Sequence, residues 1–123
     1  MPIIYDDGFD PEQKIYLLKP GYNANAIDQD KDCLESISFQ TKVANKLDND
    51  GFIEESFEQL KALYDWGEYD IFDANKCVKF KDYLLKKLDR KDLDPDLVKV
   101  YNQMLEITNK AIELGTGLLF DFV

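Results

Sequence analysis

The sequence contains no histidine, and it has only 2 cysteines and 1 tryptophan in 123 residues. The absence of histidine removes the commonest general base, the usual activator of a nucleophile and the commonest metal ligand. Cys33 and Cys77 have no CxxC spacing, which is typical of buried thiols rather than of a disulfide or a metal pair. Catalysis would have to use carboxylates or a cysteine, and no stretch of the sequence matches a catalytic signature.

Long hydrophobic runs are also absent. No apolar segment approaches the roughly 20 residues that span a bilayer, and the first residues, MPIIYDDGFD, are acidic and have no signal-peptide core. We therefore expect a cytoplasmic protein without a membrane partner. Hydrophobic content of 45% is typical of a globular chain, so apolar burial can offset chain entropy. The length predicts a single domain over residues 1–123.

Negative charge is what the sequence has in excess, and it is unevenly distributed. The net charge is −10, from 25 acids and 15 basic residues. Residues 1–75 contain 17 acids and 6 lysines, whereas residues 76–91 contain 7 basic residues and 2 acids. Such a field repels nucleic acid and attracts a basic partner, although acids that only maintain solubility give the same composition. The basic segment could also pair with acids on neighbouring helices.

Recurrent helix-start signals predict an all-α fold. Asp10, Asp73 and Asp94 each stand as an N-cap before an apolar pattern of helical period, and Gly115 is a C-terminal stop. We predict a compact bundle of about five helices with short polar joints and an apolar C-terminal tail, LLFDFV, packed on the bundle. The predicted helices are 11–19, 32–47, 51–66, 74–90 and 95–114. Apolar residues at helical spacing predict the buried side of the last three helices: Ile53, Phe57, Leu60 and Tyr64; Cys77, Phe80, Leu84 and Leu88; and Leu97, Val100, Tyr101, Met104, Ile107 and Ile112.

The second of these segments, residues 32–47, is ambiguous. Ile37 and Leu47 fit a helical stripe, but Ile37, Phe39 and Val43 also alternate as in a strand. The length of the segment and its capping-box start favour the helix.

The segment KLDNDGFIEESF resembles a calcium-binding loop but lacks its end ligands. Asp48 and Asp50 stand correctly before Gly51, whereas Lys46 and Phe57 occupy the first and twelfth positions, where carboxylates must bind. We predict no calcium binding, no cofactor and no small-molecule substrate. The acids and the glycine instead end one helix and begin the next.

The stretch LYDWGEYDIFD interleaves aromatic residues with acids between two predicted helices, a place where binding residues often occur. Rigid aromatic rings surrounded by carboxylates have the composition of a hot spot for a basic partner. The alternative is that the rings fold onto the bundle and the acids only solvate the loop. The predicted partner-binding residues are Tyr64, Asp65, Trp66, Glu68, Tyr69, Asp70, Asp73, Glu54, Glu55 and Glu58.

In size, charge and lack of catalytic residues, the sequence resembles bacterial immunity proteins, including the partners of contact-dependent growth-inhibition toxins and other polymorphic toxins. The resemblance implies a non-enzymatic protein that covers the basic active site of a toxin, commonly a nuclease, in a one-to-one complex. Two other hypotheses remain. One is a phage or mobile-element protein that mimics nucleic-acid charge to inhibit a host nuclease, and the other is an enzyme that uses two carboxylates. Direct nucleic-acid binding is not expected, because the basic face is one helix on an acidic chain.

Overall fold

A computed structural model describes residues 12–22, 29–62 and 69–122. The strands are β1 (Glu12–Leu18), β2 (Cys33–Gln40), β3 (Tyr69–Phe72) and β4 (Leu118–Asp121). They form an antiparallel sheet with the order β2-β1-β4-β3. The helices are α1 (Gln29–Asp32), α2 (Thr41–Asn49), α3 (Phe52–Leu60), α4 (Ala74–Leu88) and α5 (Pro95–Leu114). Of these helices, none is both long enough and apolar enough to cross a bilayer.

The mixed α/β architecture contradicts the predicted all-α helical bundle, and the first predicted helix, over residues 11–19, is wrong. This segment forms β1, in which Ile15 and Leu17 are buried while Tyr16 between them is half-buried. That period of two is the pattern of a strand. β1 pairs with β2 on one side and with β4 on the other, so its stability comes from segments that are distant in sequence. The start signal at Asp10 lies outside the described residues.

The ambiguous segment divides into two elements. Its first half is β2 and its second half is α2, so the single predicted helix over residues 32–47 is wrong in its first half. Phe39 is buried and Ile37 packs against the core, as the alternating pattern requires. Leu47 is buried on α2. The β-branched and aromatic residues of the first half favour the extended backbone.

Helix α3 ends earlier than the sequence predicts, and a different side of the helix faces the core. It ends at Leu60, short of the predicted residue 66. Its buried positions are Phe52, Ser56 and Leu60, while Phe57, predicted to be buried, is 51% exposed. The predicted joint between α3 and α4 also contains a strand, β3, in place of an irregular surface loop.

The predicted caps of α4 and α5 are confirmed. At the start of α4, the carboxylate of Asp73 accepts a hydrogen bond from the backbone N–H of Lys76 at 2.8 Å. At the start of α5, Asp94 accepts one from the N–H of Asp96 at 2.8 Å. Gly115 ends α5 with a left-handed φ of 68°, a conformation that glycine adopts without a Cβ penalty.

The first four residues of the segment LLFDFV form β4, an inner strand of the sheet in which Leu118, Leu119 and Phe120 are buried, and not a tail on a bundle. The ring of Phe120 lies 4.4 Å from that of Phe72 on β3 and 5.8 Å from that of Phe80 on α4, measured between centroids. The sheet and the helices therefore share one core. Of the residues predicted to line α4 and α5, those buried in this core are Cys77, Phe80, Leu84, Leu97, Val100, Tyr101, Met104 and Ile107, and Leu88 and Ile112 pack against it.

A substitution at Gly117 tests how closely the backbone before β4 approaches β3. Gly117 lies before β4 against the backbone carbonyl of Phe72, and a Cβ atom at this position would overlap that oxygen. We expect Gly117→Ala to lower the free energy of unfolding by about 3 kcal/mol, because one strand has to move. The matched control, Gly115→Asn, should cost less than about 1 kcal/mol, since its Cβ meets no atom within 4 Å and asparagine tolerates the left-handed backbone. Urea unfolding measures both, and equal losses would contradict the close approach.

Candidate partner-binding surface

An ion-pair network fixes the α2–α3 joint against α4 and α5. Its centre is Lys87 on α4, which is 7% exposed. The Lys87 Nζ atom lies 3.1 Å from Asp50 Oδ2 and 2.8 Å from Glu55 Oε1. Arg90 Nη2 lies 2.6 Å from Asp50 Oδ2, and the Tyr101 hydroxyl on α5 donates to the same oxygen at 2.7 Å. Because a buried charge is stable only when it is paired, the network holds the joint in one position.

Glu55, a predicted partner-binding residue, belongs to this network. Its Oε1 atom accepts hydrogen bonds from Lys87 Nζ at 2.8 Å and from the Tyr83 hydroxyl at 2.9 Å. The carboxylate of Glu55 is therefore engaged within the protein. The basic segment, residues 76–91, was predicted as one alternative to pair with acids on neighbouring elements. Lys87 and Arg90 do form such ion pairs.

The network also sets the ionisation of its two carboxyl groups. Burial by itself would raise the pKa of Asp50. Hydrogen bonds from Arg90 and Tyr101 are among the interactions that outweigh burial, so the pKa of Asp50 lies below its usual range. Burial also raises the pKa of Glu55, and the hydrogen bond from Lys87 helps to bring it below its usual value. A carboxyl group with a lowered pKa in the folded state stabilises the fold above its unfolded pKa, and that contribution is lost as the pH falls through the folded pKa.

We therefore expect protonation of Asp50 to contribute to acid unfolding. Its contribution should be complete above about pH 5 and should decrease as the pH falls below about 4. Asp50→Asn should lower the free energy of unfolding at neutral pH by about 2 kcal/mol, a typical value for hydrogen bonds to charged groups, and should flatten the dependence on pH in acid. Asp48→Asn, at an exposed position of α2, is the control and should do neither. Urea unfolding at several pH values measures this, and an unchanged acid slope in Asp50→Asn would contradict it.

Glu54 and Glu58, two further predicted residues, lie on the exposed side of α3. Phe57 is 51% exposed. Residues three and four positions apart are neighbours on a helix surface, so the three side chains share one side of α3. We name Glu54, Phe57 and Glu58 the α3 face. It combines an exposed aromatic ring with two carboxylates.

The other predicted residues do not join this face. Asp73 is exposed, but its carboxylate caps α4. Asp70 on β3 is half-buried and lies opposite Phe120 of β4. Tyr69 begins β3, and its backbone alone is described. Tyr64, Asp65, Trp66 and Glu68 lie outside the described residues, so their part in binding stays a prediction.

Sequence reasoning missed Phe57 because two helical rows overlap on α3. Ile53, Phe57 and Leu60 have helical spacing, which predicted that Phe57 is buried. The observed inward row passes instead through Phe52 and Leu60. Phe52 belongs to the aromatic core, where its ring centroid lies 6.2 Å from that of Phe80. Because Ser56 stands in the middle of the inward row, apolar residues at helical spacing do not reveal this row.

The charge excess of the chain is segregated in sequence. All 15 basic residues, and 17 of the 25 acids, have side chains that the structure describes. The remaining 8 of the 25 acids lie in residues 1–12, 23–30 and 63–69, which contain no lysine or arginine. The described body is thus close to neutral, and three short acidic segments carry the excess. One of them contains most of the aromatic and acidic stretch predicted to bind a partner.

The strand register brings the starts of β1 and β3 to the same end of the sheet. β1 and β3 are both antiparallel to β4, so they run in the same direction. Lys14 near the start of β1 and Tyr69 at the start of β3 both lie opposite Asp121, the last residue of β4. The first residues of β1 and β3 therefore lie at the end of the sheet where β4 finishes.

The loop that resembles a calcium site has its Asp50 carboxylate bound within the protein. The Asp50 carboxylate is held by cations, as described above. In the ranges that the structure describes, no group of three or more acids and cysteines is arranged to hold a metal ion. The cysteines are not joined by a disulfide. Burial, followed by the nearby charge of Asp73, raises the pKa of the Cys77 thiol to about 12, which keeps it protonated and unreactive.

No family model, no curated protein and no solved structure matches this chain. Its function is therefore argued from the α3 face, the ion-pair network and the distribution of charge.

Proposed function

We propose that this protein is a non-enzymatic, cytoplasmic binding protein that neutralises a basic protein partner. The observation that carries the proposal is the α3 face, where a half-exposed Phe57 lies beside the exposed Glu54 and Glu58. An exposed aromatic ring can anchor a complex by filling an apolar pocket of the partner. Carboxylates around such an anchor favour a partner whose pocket has basic residues at its rim.

The partner we propose is a bacterial toxin, most commonly a nuclease, and the protein acts as its immunity protein. A nuclease binds phosphates through lysine and arginine side chains, so an acidic protein that covers this cleft is complementary to it in charge. The 8 acids in segments without basic residues strengthen the field that steers a basic partner toward the surface. We propose a one-to-one complex.

The ionisation of Asp50 and Glu55 gives no support to acid catalysis by this pair of carboxylates. A general acid that works near neutral pH needs a raised pKa. Asp50 and Glu55, which share Lys87, both have a lowered pKa. Their charges are used to hold α3 in place, and the exposed acids beside Phe57 are left for recognition.

Kinetics should separate the anchor from the charges. Phe57→Ala should mainly speed dissociation from the partner, by roughly 30-fold if Phe57 contributes about 2 kcal/mol. The control is Leu85→Ala, because Leu85 is 45% exposed on α4 and lies outside the α3 face. It should leave the dissociation rate unchanged. Surface plasmon resonance measures both, and equal effects of the two substitutions would contradict the anchor.

The charges of the α3 face should act on association instead. Glu54→Gln combined with Glu58→Gln should slow association and weaken its dependence on salt, because charges at the rim of an interface steer the encounter. Trp66→Ala tests the predicted second anchor in the same assay, with thermal unfolding as the control for an effect on the fold.

The decisive experiment is co-expression with the protein encoded immediately upstream, because an immunity gene directly follows its toxin gene. We expect the neighbour to be toxic alone and harmless together with this protein, and Phe57→Ala to weaken the protection. A neighbour that is harmless alone, or that is neither bound nor inhibited, would exclude the immunity function. Inhibition of a host nuclease in the absence of a toxic neighbour would instead support the phage or mobile-element inhibitor.

A further inference from the structure

Strand β2 is an open edge of the sheet within the described residues. Seven of its eight residues pair with β1 on one side, and Leu34, Ser36 and Ser38 are exposed. Edge strands are commonly protected by lysine, proline or a bulge. β2 has no lysine or proline, and its irregularity lies near its start, so that residues 35–40 pair regularly. Its only charged side chain, Glu35, is bound by a lysine of α5 at 2.8 Å.

A groove of about 340 Å³ lies beside the last part of this edge. The apolar side chains of Phe39, Val43 and Val100 line it, and the exposed residues Lys42 and Lys99 stand at its mouth. The other six lining residues are polar or charged, so the groove offers hydrogen-bonding and ionic groups beside an apolar floor.

The charge at the mouth of this groove is positive, although the chain is acidic. Its carboxylate, Asp96, is engaged by Lys46, with Nζ to Oδ2 at 2.7 Å. Lys46 also lies 3.2 Å from Asp94. Among the described residues, Lys42 and Lys99 form no ion pair. Both lysines act on the charge of Asp96 from beyond ion-pair distance, so their ammonium groups can still bind an external carboxylate.

We propose that β2 and this groove bind an extended acidic segment of a partner protein, which adds as a strand to residues 35–40. The main chain of the segment pairs with the open edge, and alternate side chains enter the groove. An acidic side chain of the segment lies between Lys42 and Lys99, where charge-assisted hydrogen bonds hold it. The site shares no residue with the α3 face, so it is independent of the proposed function.

Three synthetic peptides test the proposal by isothermal titration. The first is an acetylated and amidated octapeptide of alternating threonine and valine that contains two glutamates. The second has lysines in place of the glutamates, and the third is the glutamate peptide with alternate backbone nitrogens methylated. We expect the first to bind at concentrations up to about 1 mM, and the other two to bind at least tenfold more weakly, because a tenfold loss is the effect of about 1.4 kcal/mol.

Matched variants of the protein locate the site. Lys42→Glu combined with Lys99→Glu should weaken binding of the glutamate peptide at least tenfold. Lys79→Glu combined with Lys86→Glu changes the net charge equally at exposed positions of α4 and should weaken it less than about threefold. Thermal unfolding checks that both variants fold.

Four results would overturn the proposal. They are no binding of the glutamate peptide, equal binding of the lysine peptide, an equal loss in the two double variants, and full binding of the methylated peptide. The last result would show that the carboxylate binds in the groove without strand addition.

Discussion

Lys87 is a buried cation, and the position of α3 follows from the acceptors that it requires. Its ammonium group donates to the backbone carbonyl of Asp50 at 2.7 Å in addition to contacting the carboxylates of Asp50 and Glu55. Removing these acceptors would leave an uncompensated charge in the interior, at a cost of several kcal/mol. Since the acceptors lie at the α2–α3 joint and in the first turn of α3, only one placement of α3 against α4 satisfies them. That placement brings the Glu55 carboxylate to Lys87 and leaves the α3 face on the outside.

The acids of this protein accordingly serve two purposes. Asp50 and Glu55 neutralise cations within the fold, and Asp73 and Asp94 cap helices. These carboxylates are needed for stability and are poor candidates for recognition. Among the described residues, the acids of the α3 face have no such role, and the acid excess of the chain gives the molecule its negative field. The groove beside β2 has the opposite local charge, so the two candidate surfaces select partners of different chemistry.

Local signals in the sequence predicted the elements whose stability is local. α4 and α5 have N-cap aspartates and uninterrupted apolar stripes, and both were identified with their caps. β1 and β2 were assigned to helices because strands owe their stability to partners that are distant in sequence, and no single segment reveals its partner. The same limit applies to the candidate site. Glu54 and Glu58 were found from the charge pattern, but the engagement of the Glu55 carboxylate depends on Lys87, a residue of another helix. The exposure of Phe57 depends on Phe52, which takes the inward position in the aromatic core.

The central position of β4 has a consequence for the order of folding. Its Asp121 pairs with Lys14 of β1, more than a hundred residues earlier in the sequence. Pairing over such a distance has a high entropic cost of loop closure and slows folding. The α4–α5 pair and the β1–β2 pair connect segments that are closer in sequence and can form sooner. Until β4 pairs with β1 and β3, each of those strands has an additional open edge. The apolar residues of β4 are also missing from the core between the sheet and the helices. The interval before β4 is inserted is therefore when a folding chain is most exposed to aggregation.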